Sequence, residues 1–421
     1  MLIFCILTLL FTIRWLIKDP HKTILVYAIF NIFLQDYVCI RFEPPAIMLR
    51  LLLDLIIIWY FYSKKLFDFK YFPLRGVYIF LFLTILLGVM VSPLSFTQTL
   101  PAAINKITPY LIVVLFCSHL KTKEDTEFAY KMVLWSFGIL CLYAMVEFAL
   151  QMNPVGEYVK TIVSDDLLRG KIYVASEYRY ISVRCSSLLA ICIAWGGYVC
   201  LIVACYFCLS GQKAYLYQVV IMVVLLVFNV IISGSRAPML YLLVIALGYF
   251  LYSKMTTKIL LFILISVFAI YNQDLILPII ASFSDDGGEV SGSSIAMRLD
   301  QYTAVSSVMS ASPLWGFGIK GYEVAFKANS DILGAESIWL QQLINSGLLG
   351  VIYQIVVYIS ILRYMISNKL NQSKLSCLVM VFGWITFCTL TSSPGLTEPY
   401  FLTICILVVR YFESHIQNKE G

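Results

Sequence analysis

Charge is scarce in this sequence. Only 13% of its 421 residues are Asp, Glu, Lys or Arg, about half the roughly 25% typical of a soluble domain, which excludes an ordinary water-soluble globule. Histidine is scarcer still. His21, His119 and His415 are scattered along the chain at no metal-ligand spacing, so a metal site and a metal cofactor are not expected. Ten-residue segments of alternating polarity are missing, and with them a membrane β-barrel. No internal repeat is apparent, which gives no support to the symmetric halves common in transporters. Met1 to Ile17 lacks a basic start and a small-residue cleavage site, so it reads as a first transmembrane helix and not as a signal peptide.

Apolar residues fill the space that charge leaves, at 61%. They recur in runs long enough to cross a hydrocarbon core, so the expected fold is an all-α polytopic integral membrane protein of about 12–13 spans. Runs bounded by charges and turn residues place the spans near 1–17, 23–40, 46–63, 76–92, 105–119, 128–150, 184–208, 216–233, 237–252, 258–273, 338–364, 375–392 and 399–412. The organisation that follows has four parts. An N-terminal helical region, 1–183, ends in an external loop near 151–183. Central helices occupy 184–273, a large external loop 274–337, and C-terminal helices 338–421. Most of the 12 cysteines fall inside spans. Cys205-Tyr-Phe-Cys208 has redox spacing but no polar partner nearby in sequence, and reads as small apolar filler. The net charge of +6 reflects loop lysines facing anionic lipid and not nucleic acid.

Basic residues orient the spans. With 274–337 outside, the inner loops hold Lys18, Lys22, Lys64, Lys65, Lys70, Arg75, Lys121, Lys123, Lys213, Lys254, Lys258, Arg363, Lys369, Lys374, Arg410 and Lys419. The short outer loops hold only Arg41, Arg50, Lys106 and Arg236. The long outer segments 151–183 and 274–337 break the pattern with several basic residues, and function is sought there. The second begins with a polar lip at Ser284-Asp-Asp-Gly-Gly-Glu. It then turns amphipathic, with Ile295, Met297, Leu299, Tyr302 and Val305 interleaved with Arg298, Asp300 and Gln301. One or two short helices lying on the membrane surface are expected.

Arg236 carries the most information. It sits in Gly234-Ser235-Arg236-Ala237-Pro238 between two apolar runs, where a charged side chain at membrane depth costs about 2.5–3.5 kcal/mol on insertion scales. Such a group faces a polar cavity and binds an anion, or else snorkels to lipid headgroups. Arg184, opening the seventh span, Arg298 on the amphipathic stretch and Glu336 before the eleventh span fall on the same face in this topology. Several guanidinium groups together offer forked donors matched to a pyrophosphate. A carboxylate beside them is placed to deprotonate a hydroxyl, or serves only as a favourable charge at a helix N-terminus. Gly316 and Gly318 lie in the glycine-rich turn Pro313–Tyr322, as turn formers or as part of the site. Asp36, Asp54 and Glu147 fall inside apolar spans. Asp54 pairs with Arg50 by helical spacing, Asp36 lies close to Arg41, and Glu147 has no partner legible in the sequence.

The ordered set of motifs resembles the O-antigen polymerase and O-antigen ligase superfamily of bacterial envelope glycan enzymes. It comprises Ser233-Gly-Ser-Arg236-Ala, Met297-Arg298-Leu-Asp-Gln-Tyr, Ser312-Pro-Leu-Trp-Gly-Phe-Gly318, Glu336-Ser-Ile-Trp-Leu340 and Gly347-Leu-Leu-Gly350, and fits over about 180–365. The resemblance implies a glycosyltransferase of the bacterial inner membrane with its active site facing the periplasm or exterior. Arg236 and Arg298 would hold the pyrophosphate of an undecaprenyl-pyrophosphate-linked oligosaccharide, and Arg184 matches a basic residue opening the corresponding span. Glu336-Ser337 departs from the His-Asn of ligase-like members. That tilts the expectation to a repeat-unit polymerase of capsule, exopolysaccharide or O-antigen type, with Glu336 as base and Arg298 stabilising charge on the departing group. An O-antigen ligase acting on a lipid A-core or protein acceptor is the alternative, and a lipid-linked oligosaccharide flippase a third. No Asp-x-Asp sequence occurs, in keeping with metal-independent transfer. Trp315, Tyr322 and Trp339 are candidates to stack on sugars or to anchor at the interface. Membrane lipids and a chain-length regulator are the expected partners.

Overall fold

The computed structural model describes residues 2–35, 37–41, 47–69, 72–162, 178–179, 182–210, 215–252, 295–328, 337–367, 374–391 and 397–420. The expected span 258–273, the polar lip at 284–289, Asp36 and Glu336 lie outside them.

The chain is an all-α polytopic membrane protein. Among the described residues the helices are α1 Leu2–Lys18, α2 Pro20–Phe30, α3 Leu49–Ser63, α4 Arg75–Val91, α5 Phe96–His119, α6 Lys123–Leu150, α7 Pro154–Ile162 and α8 Cys192–Ser210. They continue as α9 Leu216–Ile232, α10 Arg236–Tyr252, α11 Ile295–Met309, α12 Gly321–Ala328, α13 Ile338–Ser367, α14 Lys374–Leu390 and α15 Thr397–Glu420. The two described strand pairs are minimal, β1 Cys39–Arg41 with β2 Ile47–Met48 and β3 Tyr178–Arg179 with β4 Ser182–Val183, both antiparallel.

Among the described residues, α5, α6, α8 and most of α13 are long and apolar enough to cross a membrane, with α4, α9, α10 and α14 as shorter apolar helices. The 24 residues of α5 rise about 36 Å, more than the roughly 30 Å hydrocarbon core. Their local start signals are clear. Thr122 and Asp125 form a reciprocal capping box at the head of α6, and Asp19 caps α2 by accepting from the Lys22 N–H at 3.0 Å, with Pro20 at the first position.

Three expectations about span boundaries change. The run 23–40 is not one helix. α2 has 11 residues, about 17 Å, and gives way to a 3-10 turn at Asn31–Phe33 and then to β1. Its Ile24, Leu25, Ala28 and Ile29 are buried, so it packs as a short inserted helix. Helix α5 starts at Phe96, not near 105, and passes through Pro101 and Pro109. Burial of Tyr110 and of Ile112 to Cys117 offsets the backbone bonds those prolines remove. The seventh span begins at Cys192, eight residues beyond Arg184, for a reason that lies in the site itself.

The connections fix which helix ends share a face. α4 and α5 are joined by residues 92–95 and α5 and α6 by 120–122, so the C-terminal ends of α4 and α6 lie on one side. Lys64, Lys65, Lys121 and Lys123 belong to the opposite side. The packed interior unites α2–α6, α8–α10, α13, α14 and α15 in one apolar core. A second, smaller core joins Ala304, Val305 and Met309 of α11 with Ala325 of α12 and Leu340 and Ile344 of α13. The amphipathic stretch thus folds as a helix, with Val305 packed against neighbouring helices and Tyr302 exposed.

Candidate functional site

The site begins with a carboxylate. Glu147, in the last turn of α6, is 1% exposed. Both its oxygens accept the Ser186 N–H, at 3.1 and 3.2 Å, and Oε2 accepts the Ser187 N–H at 2.7 Å. Asn153 Nδ2 donates to Glu147 Oε1 at 3.2 Å, and also to Ser186 Oγ and the Ser187 carbonyl. Ser187 takes a left-handed φ of 54° and its hydroxyl donates to the Leu140 carbonyl at 2.7 Å. A helix through 184–191 would turn those two N–H groups to carbonyls four residues back. Glu147 captures them instead, and α8 starts late. This accounts for an intramembrane acid that the sequence leaves without a partner.

The segment so held carries Arg184 into contact with Arg236's turn. The Cys185 N–H donates to the Ile232 carbonyl at 2.9 Å, tying the segment to the end of α9. Arg184, 5% exposed, donates from Nη2 to Ser235 Oγ at 3.0 Å. Ser235 is the residue before Arg236, the first residue of α10. Arg184 therefore reaches, from a distant part of the chain, the residue that precedes Arg236 at the positive end of a helix. A cation there opposes the helix dipole, and a locally unfavourable charge arrangement of this kind is characteristic of functional sites. Helix N-termini and forked guanidinium groups are both suited to anions.

The glycine-rich turn is built from backbone contacts. Gly316 (φ 67°), Gly318 (φ 76°) and Gly347 (φ 60°) all occupy the left-handed region. The Phe317 N–H donates to the Ile344 carbonyl at 2.8 Å, the Leu348 N–H to the Pro313 carbonyl at 3.0 Å, and the Ile319 N–H to the Gly88 carbonyl at 2.9 Å. A Cβ on Gly318 would stand 2.3 Å from the Gly88 oxygen, and one on Gly316 would stand 2.6 Å from the Gly347 nitrogen. These glycines clamp the turn between α4 and a sharp break in α13 at Gly347. Because the turn meets the C-terminal end of α4, it lies on the same side as Glu147, Arg184 and Ser235.

Arg298 is placed by its backbone on α11, which packs on α13. Glu336 lies outside the described residues, and its neighbour Ser337, buried, leads into α13. Of the aromatic candidates, Trp315 is exposed, Tyr322 half-buried, and Trp339 donates its indole N–H to Thr389 Oγ1 at 3.0 Å. The Arg50–Asp54 pair is present at 3.6 Å, buried, with Tyr27 and Thr108 donating to Asp54 and Arg50 donating to Asn105. One buried acid escaped the sequence reading. Glu398, at the start of α15, accepts from Tyr110 Oη at 3.0 Å and from Gln354 Nε2 at 3.0 Å, and Gln354 in turn meets Gln342 at 3.1 Å. It stands one residue before the expected span 399–412, so it did not count among the acids inside apolar runs.

Residues 221–355 match the family model described as O-Antigen ligase. Over that stretch, about a third of its length, the chain is similar to the O-antigen polymerase and ligase superfamily. No curated protein matches it. The stretch matched to the O-antigen ligase family contains Arg236, Arg298, Gly316, Gly318 and Glu336, and leaves Glu147, Arg184, Lys106 and Glu398 outside. The similarity supports O-antigen polymerase or ligase activity in general, a glycosyltransferase-like chemistry on lipid-linked glycan in a membrane. It offers no support for the flippase alternative.

Proposed function

We propose that this protein, similar to the O-antigen ligase family over residues 221–355, is a polysaccharide repeat-unit polymerase of the inner membrane. It moves a glycan from undecaprenyl pyrophosphate to the terminal sugar of another lipid-linked repeat unit, at the face turned to the periplasm or exterior. The observation that supports this best is the meeting of Arg184 with Ser235 at the head of α10, beside Arg236. A diphosphate brings two to three negative charges, and a receptor formed by guanidinium groups and helix N–H groups neutralises them without a divalent ion. Arg298 completes the anion receptor in this reading, and Glu336 takes the proton of the attacking hydroxyl. In that reaction the bond from the anomeric carbon to the pyrophosphate oxygen breaks as the acceptor oxygen bonds to the same carbon. The pyrophosphate leaves as an anion, its charge held by the arginines. Gly316 and Gly318 contribute by fixing the turn that borders the site.

Glycan analysis in a deletion strain tests the proposal. Loss of a polymerase leaves single repeat units still attached to their acceptor. Loss of a ligase leaves long chains trapped on undecaprenyl pyrophosphate, and that outcome would replace the polymerase with the ligase. A chain-length regulator is the expected partner of the polymerase form.

A further inference from the structure

Lys106 occupies an unusual position. It lies ten residues into α5, about 15 Å along the helix from its first residue, and its side chain is exposed. A lysine looking at lipid would share its side of the helix with other exposed residues. Of the residues that share it by helical spacing, Thr99, Ala103, Pro109, Tyr110 and Val113 are buried and Ala102 is half-buried. Lys106 is therefore exposed on the side of α5 that faces the helix bundle. Glu398 lies within electrostatic range of it. Tyr110, one turn further along α5, donates to Glu398, and Gln354 and Gln342 continue the polar wall across α13. Each carboxylate oxygen has one protein donor and retains capacity for a second, and the ammonium has three donors. Ionisable groups at this depth are costly and mark a substrate pathway or site by default. Aromatic Tyr353 and Tyr358 lie close by, within electrostatic range of Glu398.

We propose that Lys106 and Glu398 line a second, water-filled pocket among α4, α5, α13 and α15 that binds the hydroxyl groups of the glycan. This rests on the polymerase reading and extends it: the arginines take the pyrophosphate, and this pocket takes sugar. The Lys106 ammonium, the Glu398 carboxylate and the half-buried Gln342 amide, backed by buried Tyr110 and Gln354, match an uncharged polyol, which needs donors and acceptors in alternation and not net positive charge.

Cysteine labelling in membranes of cells carrying the full-length protein tests the pocket. All 12 native cysteines are buried, so a charged, membrane-impermeant thiol reagent has a low background. A Lys106→Cys protein is expected to be labelled from the face that bears Arg236, and to be protected by undecaprenyl-pyrophosphate-linked oligosaccharide extracted from the deletion strain. Labelling no greater than that of the unsubstituted protein would overturn the pocket. Labelling that the glycolipid does not slow would overturn sugar as its occupant. Lys106→Met and Glu398→Gln, checked for normal membrane levels, are expected to lose long glycan chains. Wild-type chain ladders from both, in a background where the deletion itself alters the glycan, overturn the pocket's role alone. An unaltered glycan in the deletion strain would instead overturn the polymerase reading, and with it the occupant.

Discussion

Replacing Glu147 with alanine removes one carboxylate and with it the acceptor for three donors, the N–H groups of Ser186 and Ser187 and the Asn153 amide. Hydrogen bonds across membrane helices average about 0.6 kcal/mol, so the bonds alone are worth about 2 kcal/mol. The larger cost is what they leave behind. Ser186 and Ser187 are 2% and 1% exposed, and each stranded buried N–H costs about 1–3 kcal/mol, or about 2–6 kcal/mol for the two. The segment has a way to relieve this cost: it can wind into helix and extend α8 back to residue 184. That rewinding would turn Arg184 away from Ser235. Glu147→Ala is thus expected to lower the apparent melting temperature in detergent by several degrees. Glycan chains should also shorten beyond what the reduced amount of folded protein explains. Glu147→Gln retains one carbonyl oxygen but turns an amide N–H toward a backbone N–H, and should fall between the two. The measurements are a melt followed by size-exclusion chromatography, and a glycan ladder normalised to protein level. A Glu147→Ala protein with wild-type melting and a wild-type ladder would refute the idea that this carboxylate holds the Arg184 segment.

Arg236→Ala and Arg298→Ala are each expected to abolish polymer while the protein stays in the membrane, and a normal ladder from the double mutant removes the pyrophosphate role. Glu336→Gln should stop chain extension if the carboxylate is the base; normal chain lengths would leave it only the favourable charge at the head of α13. Gly318→Ala places a Cβ 2.3 Å from the Gly88 oxygen at a φ of 76°. The left-handed backbone alone costs roughly 1–2 kcal/mol, so a clear drop in melting temperature is expected, with Gly76→Ala, where a Cβ meets nothing within 4 Å, as the neutral control.

Membrane residence and helical class were legible from composition and from the length of the apolar runs, because a bilayer leaves the backbone few ways to satisfy itself. The Arg50–Asp54 pair was legible because i,i+4 spacing on one helix is a local property. Arg236 stood out because an arginine between two apolar runs is costly wherever it lies. The rest depended on partners far apart in the chain. The late start of α8 follows from Glu147, some 40 residues earlier in sequence. The roles of Gly316 and Gly318 follow from Gly88 and Ile344, and the burial of Glu398 from Tyr110 and Gln354. Sequence by itself determined that this protein spans a membrane and carries arginines suited to an anion. Only the tertiary structure decided that Arg184 meets the turn of Arg236, and that Glu147 and Glu398 are held inside, because a buried polar group takes whichever donor the packing of distant helices brings to it.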